Sequence, residues 1–218
     1  MKKKQNISRK ELAYKEIKKL ILLRDLQQGE KVYENDLAET LEISRTPIRE
    51  ALLVLEKEKL VENKGRLGFF VRRVKADEIS DYFNVRQILE QYAVEMIIEN
   101  ITDEELEILE KNVEESEKCF ATGDFRNFVL INSQFHELLS KAAHSAIIYR
   151  TISSLDDISI LLRSMASKKQ DGMEESLKDH KLIVSTIRRK DAGRLKQVLT
   201  DHIEGSKKRN MAFIELIS

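Results

Sequence analysis

The chain has 218 residues, with 38 basic and 38 acidic side chains, one cysteine, one proline and seven glycines. A lone cysteine excludes a disulfide framework, no stretch is apolar over a membrane-spanning length, and the opening MKKKQNISRKELAYKEI lacks the apolar core of a signal peptide, so a mostly helical, cytoplasmic protein is expected. The charge is unevenly spread: residues 1–75 carry 19 basic and 12 acidic groups, a net of +7, and the remainder 19 and 26, a net of −7, which suits a phosphate-facing head on a body that stays off nucleic acid.

In chain order, a first helix is predicted over 8–24, with Leu12, Ala13, Ile17, Leu20 and Ile21 facing inward. Residues 25–31, with Gly29, form the turn that follows. The stretch ENDLAETLEISRTPIREALLVLEKEKL, residues 34–60, then reads as two short helices joined by a tight turn. Leu37, Ala38 and Leu41 give the first an apolar side, and Ile48, Ala51, Leu52 and Leu55 do so for the second, at helical spacing. Pro47 falls in the first turn of the second helix, where a missing N–H costs nothing, and Ser44 or Thr46 can supply the cap. Arg45, Thr46 and Arg49 are left opposite the apolar stripe near the helix N-terminus, where a recognition helix presents its base-contacting side chains. A helical hairpin with a solvated basic face would account for the helix pair alone.

The next segment, LVENKGRLGFFVRRV, alternates and holds the close pair Gly65 and Gly68. It predicts a β-hairpin with Lys64 and Arg66 at its tip. Two helices, a turn and a basic hairpin make a winged helix-turn-helix. SRTPIREAL followed by a glycine-bearing wing closely resembles the DNA-binding domain of the GntR family of bacterial transcription regulators. The resemblance implies that Ser44, Arg45, Thr46, Arg49, Lys64, Arg66 and Gly68 meet DNA. It also implies a homodimer on a palindromic operator.

A second domain, 76–218, follows a short hinge, with Asp77 a candidate cap for its first helix. Six helices are predicted, roughly 77–100, 102–122, 124–143, 145–168, 171–189 and 191–217. Thr102 and Glu105 form a capping box, Gly123-Asp124 is a stop followed by a start, and Asp171-Gly172 and Asp191 mark later boundaries. Such lengths with short loops make an all-α antiparallel six-helix bundle. This part resembles the helical effector-binding (FCD-type) domain of FadR-like GntR regulators, so the resemblance covers nearly the whole chain.

Three of the four histidines lie on apolar rows. His136 follows Phe125, Val129 and Asn132 on one face, with Leu139 and Ala143 beyond; His180 sits among Leu177, Val184 and Ile187; His202 follows Leu195 and Val198. One such histidine is an ordinary core residue; three on separate helices of one bundle can converge on a divalent metal. The subfamily resemblance implies the same, because many FadR-like regulators carry an aspartate four residues before a histidine on this helix and histidines on the last two, together binding zinc, nickel or manganese. His136, His180 and His202 match those positions. Asn132 stands where the aspartate is usual, and its neutral amide oxygen is a weaker ligand, so binding is expected to be weakened. His144, near a helix boundary, is read as exposed or capping. Asp179 and Asp201 each precede a histidine of the set and point about 100° away from it, which places them on the surface.

On the helix over 77–100, Ile79, Phe83, Arg86, Glu90, Ala93 and Ile97 form one stripe and Val85, Leu89, Tyr92 and Met96 another. Arg86 and Glu90 are either an (i, i+4) ion pair or part of a cavity in which Arg86 binds a carboxylate ligand. VRQILE resembles the subfamily segment at this place, and Arg163 is a further candidate for the same work. Two apolar sides on one helix suit a homodimer.

Three functions from different classes fit parts of this pattern: a repressing transcription regulator whose operator affinity follows a small organic acid; a metal-dependent enzyme using the three histidines; and a helical scaffold. The basic head and wing favour the first, and no nucleophile or general acid–base set is present to support an enzyme.

Overall fold

Ser8 starts the first helix: its extended backbone and its side chain, which accepts the Glu11 N–H, cap α1, Arg9–Leu22. The computed structural model of this protein describes residues 8–217 except 156–157, 159–160 and 163–169. It divides into two units, Met1–Val74 and Lys75–Ser218.

In the first unit, α1 is followed by β1 (Lys31–Val32), α2 (Glu34–Thr40), α3 (Arg45–Lys57), β2 (Val61–Asn63), a 3₁₀ turn (Gly65–Leu67) and β3 (Phe69–Val71). Ala13, Ile17 and Ile21 of α1 pack with Ile48, Ala51, Leu52 and Leu55 of α3, all fully buried. Leu12 and Leu20 of the predicted inward set are only half-buried. The wing pairs β2 and β3 antiparallel, Val61 opposite Val71 and Asn63 opposite Phe69. Residues 25–31 do not only turn: Lys31 and Val32 form β1, which pairs with Phe70 and Phe69 and completes a sheet of order β1-β3-β2. Two residues are too short a run to show alternation. Gly68 has φ +89° and ψ −158°, a region open essentially to glycine alone, and this lets the chain re-enter β3 after the tip.

The second unit comprises α4 (Ala76–Asn100), α5 (Asp103–Thr122), α6 (Phe125–Lys141), α7 (Ala146–Ser153), α8 (Gln170–Arg188) and α9 (Ala192–Ile217). The capping box at Thr102 is present in both directions, 2.9 and 3.1 Å. Gly123 ends α5 in the left-handed conformation, and Asp124 caps α6 through the Asn127 N–H. Asp191 accepts from the Arg194 N–H at the start of α9. Two boundaries differ from expectation. The cap of α4 is Lys75, whose N–H is taken by Glu78, and Asp77 lies inside the first turn. The helix expected over 145–168 is interrupted: α7 ends at Ser153, 154–155 turn, 158, 161 and 162 are helical again, and 163–168 lie outside the described residues. Phe125, the first residue of α6, is exposed, because a side chain in the first turn has no preceding turn to cover.

The core of this unit joins Ala93, Val94 and Ile97 of α4 with Leu109, Phe135, Leu139, Ile183, Ile187, Leu195 and Leu199. Helix α4 packs along α9, and α5 packs on α6 and α8. All six members of the first α4 stripe are buried, Arg86 and Glu90 included. The second stripe is not: Val85 and Tyr92 are exposed, as is Ile88, while Leu89 and Met96 are half-buried. Among the described residues no helix is long and apolar enough to cross a membrane.

Candidate functional site

The face opposite the apolar stripe of α3 begins at Ser44. Its extended backbone is the N-cap, but neither it nor Thr46 supplies a side-chain capping bond, so both hydroxyls stay on the exposed surface with Arg45 and Arg49. Pro47 lies in the first turn, as its fixed φ favours. Arg49 Nη1 donates to Glu34 Oε1 at 3.0 Å, and Arg45 Nη2 stands 3.7 Å from Glu34 Oε2. The Arg49 guanidinium also lies 5.8 Å from the centre of the Phe69 ring. On the wing, Lys64 and Arg66 are exposed, Lys64 near Glu62 and over the Phe70 ring. Arg45, Arg66, Gly68 and Glu34 line one groove between the start of α3 and the wing. The seven residues read as DNA-facing are thus all in the first unit, and the groove holds three of them.

The second cluster lies inside the helical unit. His136 from α6, His180 from α8 and His202 from α9 are all buried, and their ring nitrogens can be chosen to lie within 4.8 Å of one another. His180 stacks on Phe135, ring centres 3.8 Å apart. His136 Nε2 and His202 Nε2 are 3.3 Å apart. Arg86 Nη2 is 2.6 Å from His136 Nδ1, and His202 Nδ1 is 3.0 Å from Asp179 Oδ2.

These contacts fix the proton positions. A guanidinium only donates, so His136 Nδ1 is the acceptor and the His136 proton sits on Nε2. The Asp179 carboxylate only accepts, so His202 Nδ1 donates and its Nε2 is free to accept. The result is a single directed chain, Arg86 to His136 to His202 to Asp179. The two Nε2 atoms that share a proton here also suit a cation. Two nitrogens each about 2.0–2.1 Å from a tetrahedral zinc ion stand roughly 3.3–3.4 Å apart, close to the separation seen. His202, braced by Asp179 on its far nitrogen, has the carboxylate–imidazole support usual for a metal ligand. Ligation through His136 Nε2 would move its proton to Nδ1, opposite the Arg86 donor, so the donor set fits a divalent ion with three neutral imidazoles once Arg86 turns away from His136. Asn132 is buried on the same helix as His136, and its amide nitrogen donates to Ser176 Oγ at 2.9 Å.

Arg86 makes the (i, i+4) ion pair with Glu90, and its Nη2 also reaches His136, a contact the sequence did not suggest. Burial works against its charge, but Glu90 and then Tyr82 outweigh that and hold its pKa above the ordinary value. The second Glu90 oxygen, Oε2, has no hydrogen-bond partner among the described residues. Arg163 lies outside the described residues. His144 is exposed, with positive φ, and its Nε2 meets Glu105 at 2.9 Å. Asp201 is on the surface, as expected, bonded to Gln197. Asp179 is not. It is half-buried against His202 of the next helix, and burial pushes its pKa up while Arg209 opposes that. Its angle from His180 excluded it from that histidine's face and said nothing of the histidine on α9. Tyr82 and Ser176, which support Arg86 and Asn132, also carried no signal beyond their helical spacing.

A family model described as "Bacterial regulatory proteins, gntR family" matches residues 9–71, and one described as "FCD domain" matches residues 81–205. An HTH-type transcriptional regulator, YdhC of Bacillus subtilis, is 32% identical over 190 residues, 87% of this chain and 85% of that protein. The gluconate operon transcriptional repressor of Bacillus licheniformis is 28% identical over 181 residues, 81% and 74% of the two chains. Among solved structures, Escherichia coli McbR/YncC has a TM-score of 0.79 at 19% identity, covering 97% of this chain and all of that one. A transcriptional regulator from Rhodococcus sp. RHA1 has a TM-score of 0.80 at 19% identity, covering 94% and 98%. At that identity the two structures bear on the fold.

Proposed function

This chain belongs to the GntR family of bacterial transcription regulators, with an FCD domain as its helical half, and from that premise we propose that it is a homodimeric repressor released from a palindromic operator by a small organic acid. The family consists of transcription regulators, not enzymes, and the winged head is the DNA-binding part. The acid binds in the helical domain beside a divalent cation such as zinc, nickel or manganese held by His136, His180 and His202. The observation that carries this reading is the convergence of three buried imidazoles from three helices, with an arginine within hydrogen-bond reach of one of them.

A divalent cation bound there would offer an open coordination position to a carboxylate oxygen. Arg86 brings the fixed positive charge and planar donor fork that suit the rest of such a group. Asp179 keeps His202 in the tautomer whose Nε2 lone pair faces the cluster. Asn132, a neutral amide, makes this a weaker site than one with aspartate. The names of relatives support a sugar acid, since two are gluconate operon repressors. The exposed Val85, Ile88 and Tyr92 along α4 supply apolar surface for a second copy of the chain.

Operator affinity of a dimer depends on the spacing of its two heads, because half-sites sit a fixed distance apart. An acid that favours one packing of the helical domain therefore changes operator affinity, and the coupling must be reciprocal, on the order of 1–3 kcal/mol. Duplex DNA selected from random sequence by the protein provides the operator. Calorimetric titration of gluconate and other sugar acids into zinc-loaded protein, with and without operator, then tests the coupling. Weaker acid binding in the presence of operator, by the factor through which acid weakens operator binding, is expected. Equal acid affinity in both titrations, or none in the whole panel, rules out this control.

A further inference from the structure

We infer that Glu34 is a positioning residue for DNA recognition: it holds Arg45 and Arg49 in one shared arrangement and so sets the preference for the operator over other DNA. The inference rests on the DNA-binding role of the winged head and assigns a part of it to an acidic residue.

A carboxylate on a face that meets phosphates is electrostatically out of place, since each anion there opposes binding. Glu34 is nonetheless the first residue of α2 and reaches across to α3. Its two oxygens serve two arginines: Oε1 accepts from Arg49 Nη1 at 3.0 Å, and Oε2 stands 3.7 Å from Arg45 Nη2. The Glu34 side chain is only 18% exposed, whereas those of Arg45 and Arg49 are 68% and 60% exposed. The carboxylate is therefore tucked beneath two guanidinia that project outward. Phe69, on the wing, lies under Arg49 from another side. Two arginines four residues apart on one helix repel each other, and both have long, flexible stems. A shared carboxylate relieves the repulsion and restricts their rotamers before DNA arrives.

Two effects follow, and both act on discrimination. A guanidinium already oriented can meet a base edge with both of its donors, which is the contact that reads sequence. A guanidinium that shares its charge with Glu34 is less available to an arbitrary phosphate, and the carboxylate itself repels one. Operator DNA gains from the first effect, and random DNA loses from the second. A surface ion pair with only a stabilising role would change neither preference.

The test uses the full-length protein, an operator selected by the wild-type protein from random-sequence duplexes, and a random-sequence duplex as the non-specific probe. Affinities for both are measured across a range of salt for wild type, Glu34→Ala, Glu34→Gln and Glu34→Asp, and for Glu34→Ala combined with Arg49→Ala. The ratio of specific to non-specific affinity should fall roughly tenfold in Glu34→Ala, within the range for a spoiled bidentate contact. Binding to random DNA should be unchanged or tighter. Glu34→Asp should restore part of the ratio. In the Arg49→Ala background, removal of Glu34 should lower the ratio little further, because its main partner is gone. If Glu34→Ala unfolds at lower temperature than wild type, Glu34→Gln and Glu34→Asp, which retain a polar first-turn side chain, carry the measurement. A ratio within about twofold of wild type in the folded variants, or an equal loss with and without Arg49, overturns the inference. Failure of the wild type to select any sequence would instead overturn the DNA-binding assignment on which it rests.

Discussion

Replacing Asn132 with aspartate should make this protein less stable without metal and relatively more stable with it. Asn132 is 4% exposed and spends its amide donor on Ser176 Oγ, 2.9 Å away. Aspartate has no donor to give, so the Ser176 hydroxyl must turn and donate instead, and a carboxylate must be buried against imidazoles that have no cation. A buried charge with incomplete hydrogen bonding costs about 3 kcal/mol. For a domain of this size that lowers the thermal midpoint by about 10 °C. Metal offsets part of that cost, because the new carboxylate is an anionic ligand on the helix face that carries His136. An ion present at about 100 times its Kd stabilises the folded state by about 2.7 kcal/mol, and one bound tenfold more weakly contributes about 1.4 kcal/mol less. Thermal unfolding of both proteins in chelator and in graded zinc, nickel and manganese, with elemental analysis of the dialysed samples, reads out the change in the gap. The expected result is a gap that is wide in chelator and narrows or closes with metal. If neither protein retains an ion and both midpoints ignore added metal, the three histidines are ordinary core residues and the reasoning fails.

Three further outcomes are expected. Arg49→Ala should lose about 1–3 kcal/mol on the selected operator and relax preference at one base pair, whereas Lys64→Ala or Arg66→Ala should lower the salt slope with little change in preference; undiminished operator affinity of Arg49→Ala at moderate salt would refute the docking of α3. Asp179→Ala should weaken zinc binding about 10–100-fold while the helical content by circular dichroism is kept, because His202 loses its brace; unchanged zinc affinity would show that the 3.0 Å contact does not orient the ring. Glu90→Ala should cost about 3–5 kcal/mol in chemical unfolding, since it leaves the buried Arg86 charge without its nearest anion, and a loss below about 1 kcal/mol would mean that His136 and Tyr82 suffice to hold it.

The sequence by itself determined the elements and which of their faces turn inward. Thr102 with Glu105, Gly123 with Asp124, and Asp191 set helix ends through bonds made within three or four residues, so local composition decides them. The rows around His136, His180 and His202 stated that each ring would be buried, because periodicity reports a side chain's direction relative to its own helix axis. The wing was legible from Gly65, Gly68 and the alternation around them, and Arg45 and Arg49 from their place opposite an apolar stripe. What only the tertiary structure decided are the contacts between elements. Asp179 meets His202 rather than its chain neighbour His180, Arg86 reaches His136 fifty residues away, and Glu34 lies under two arginines of the next helix. The two-residue β1 and the stop at Ser153 were hidden for a related reason, since neither is long enough to impose a period of its own. Helical spacing fixes a residue's angle about one axis. The rotation and offset of a neighbouring helix are set by the packing of the whole core, and those decide which polar groups share a buried space.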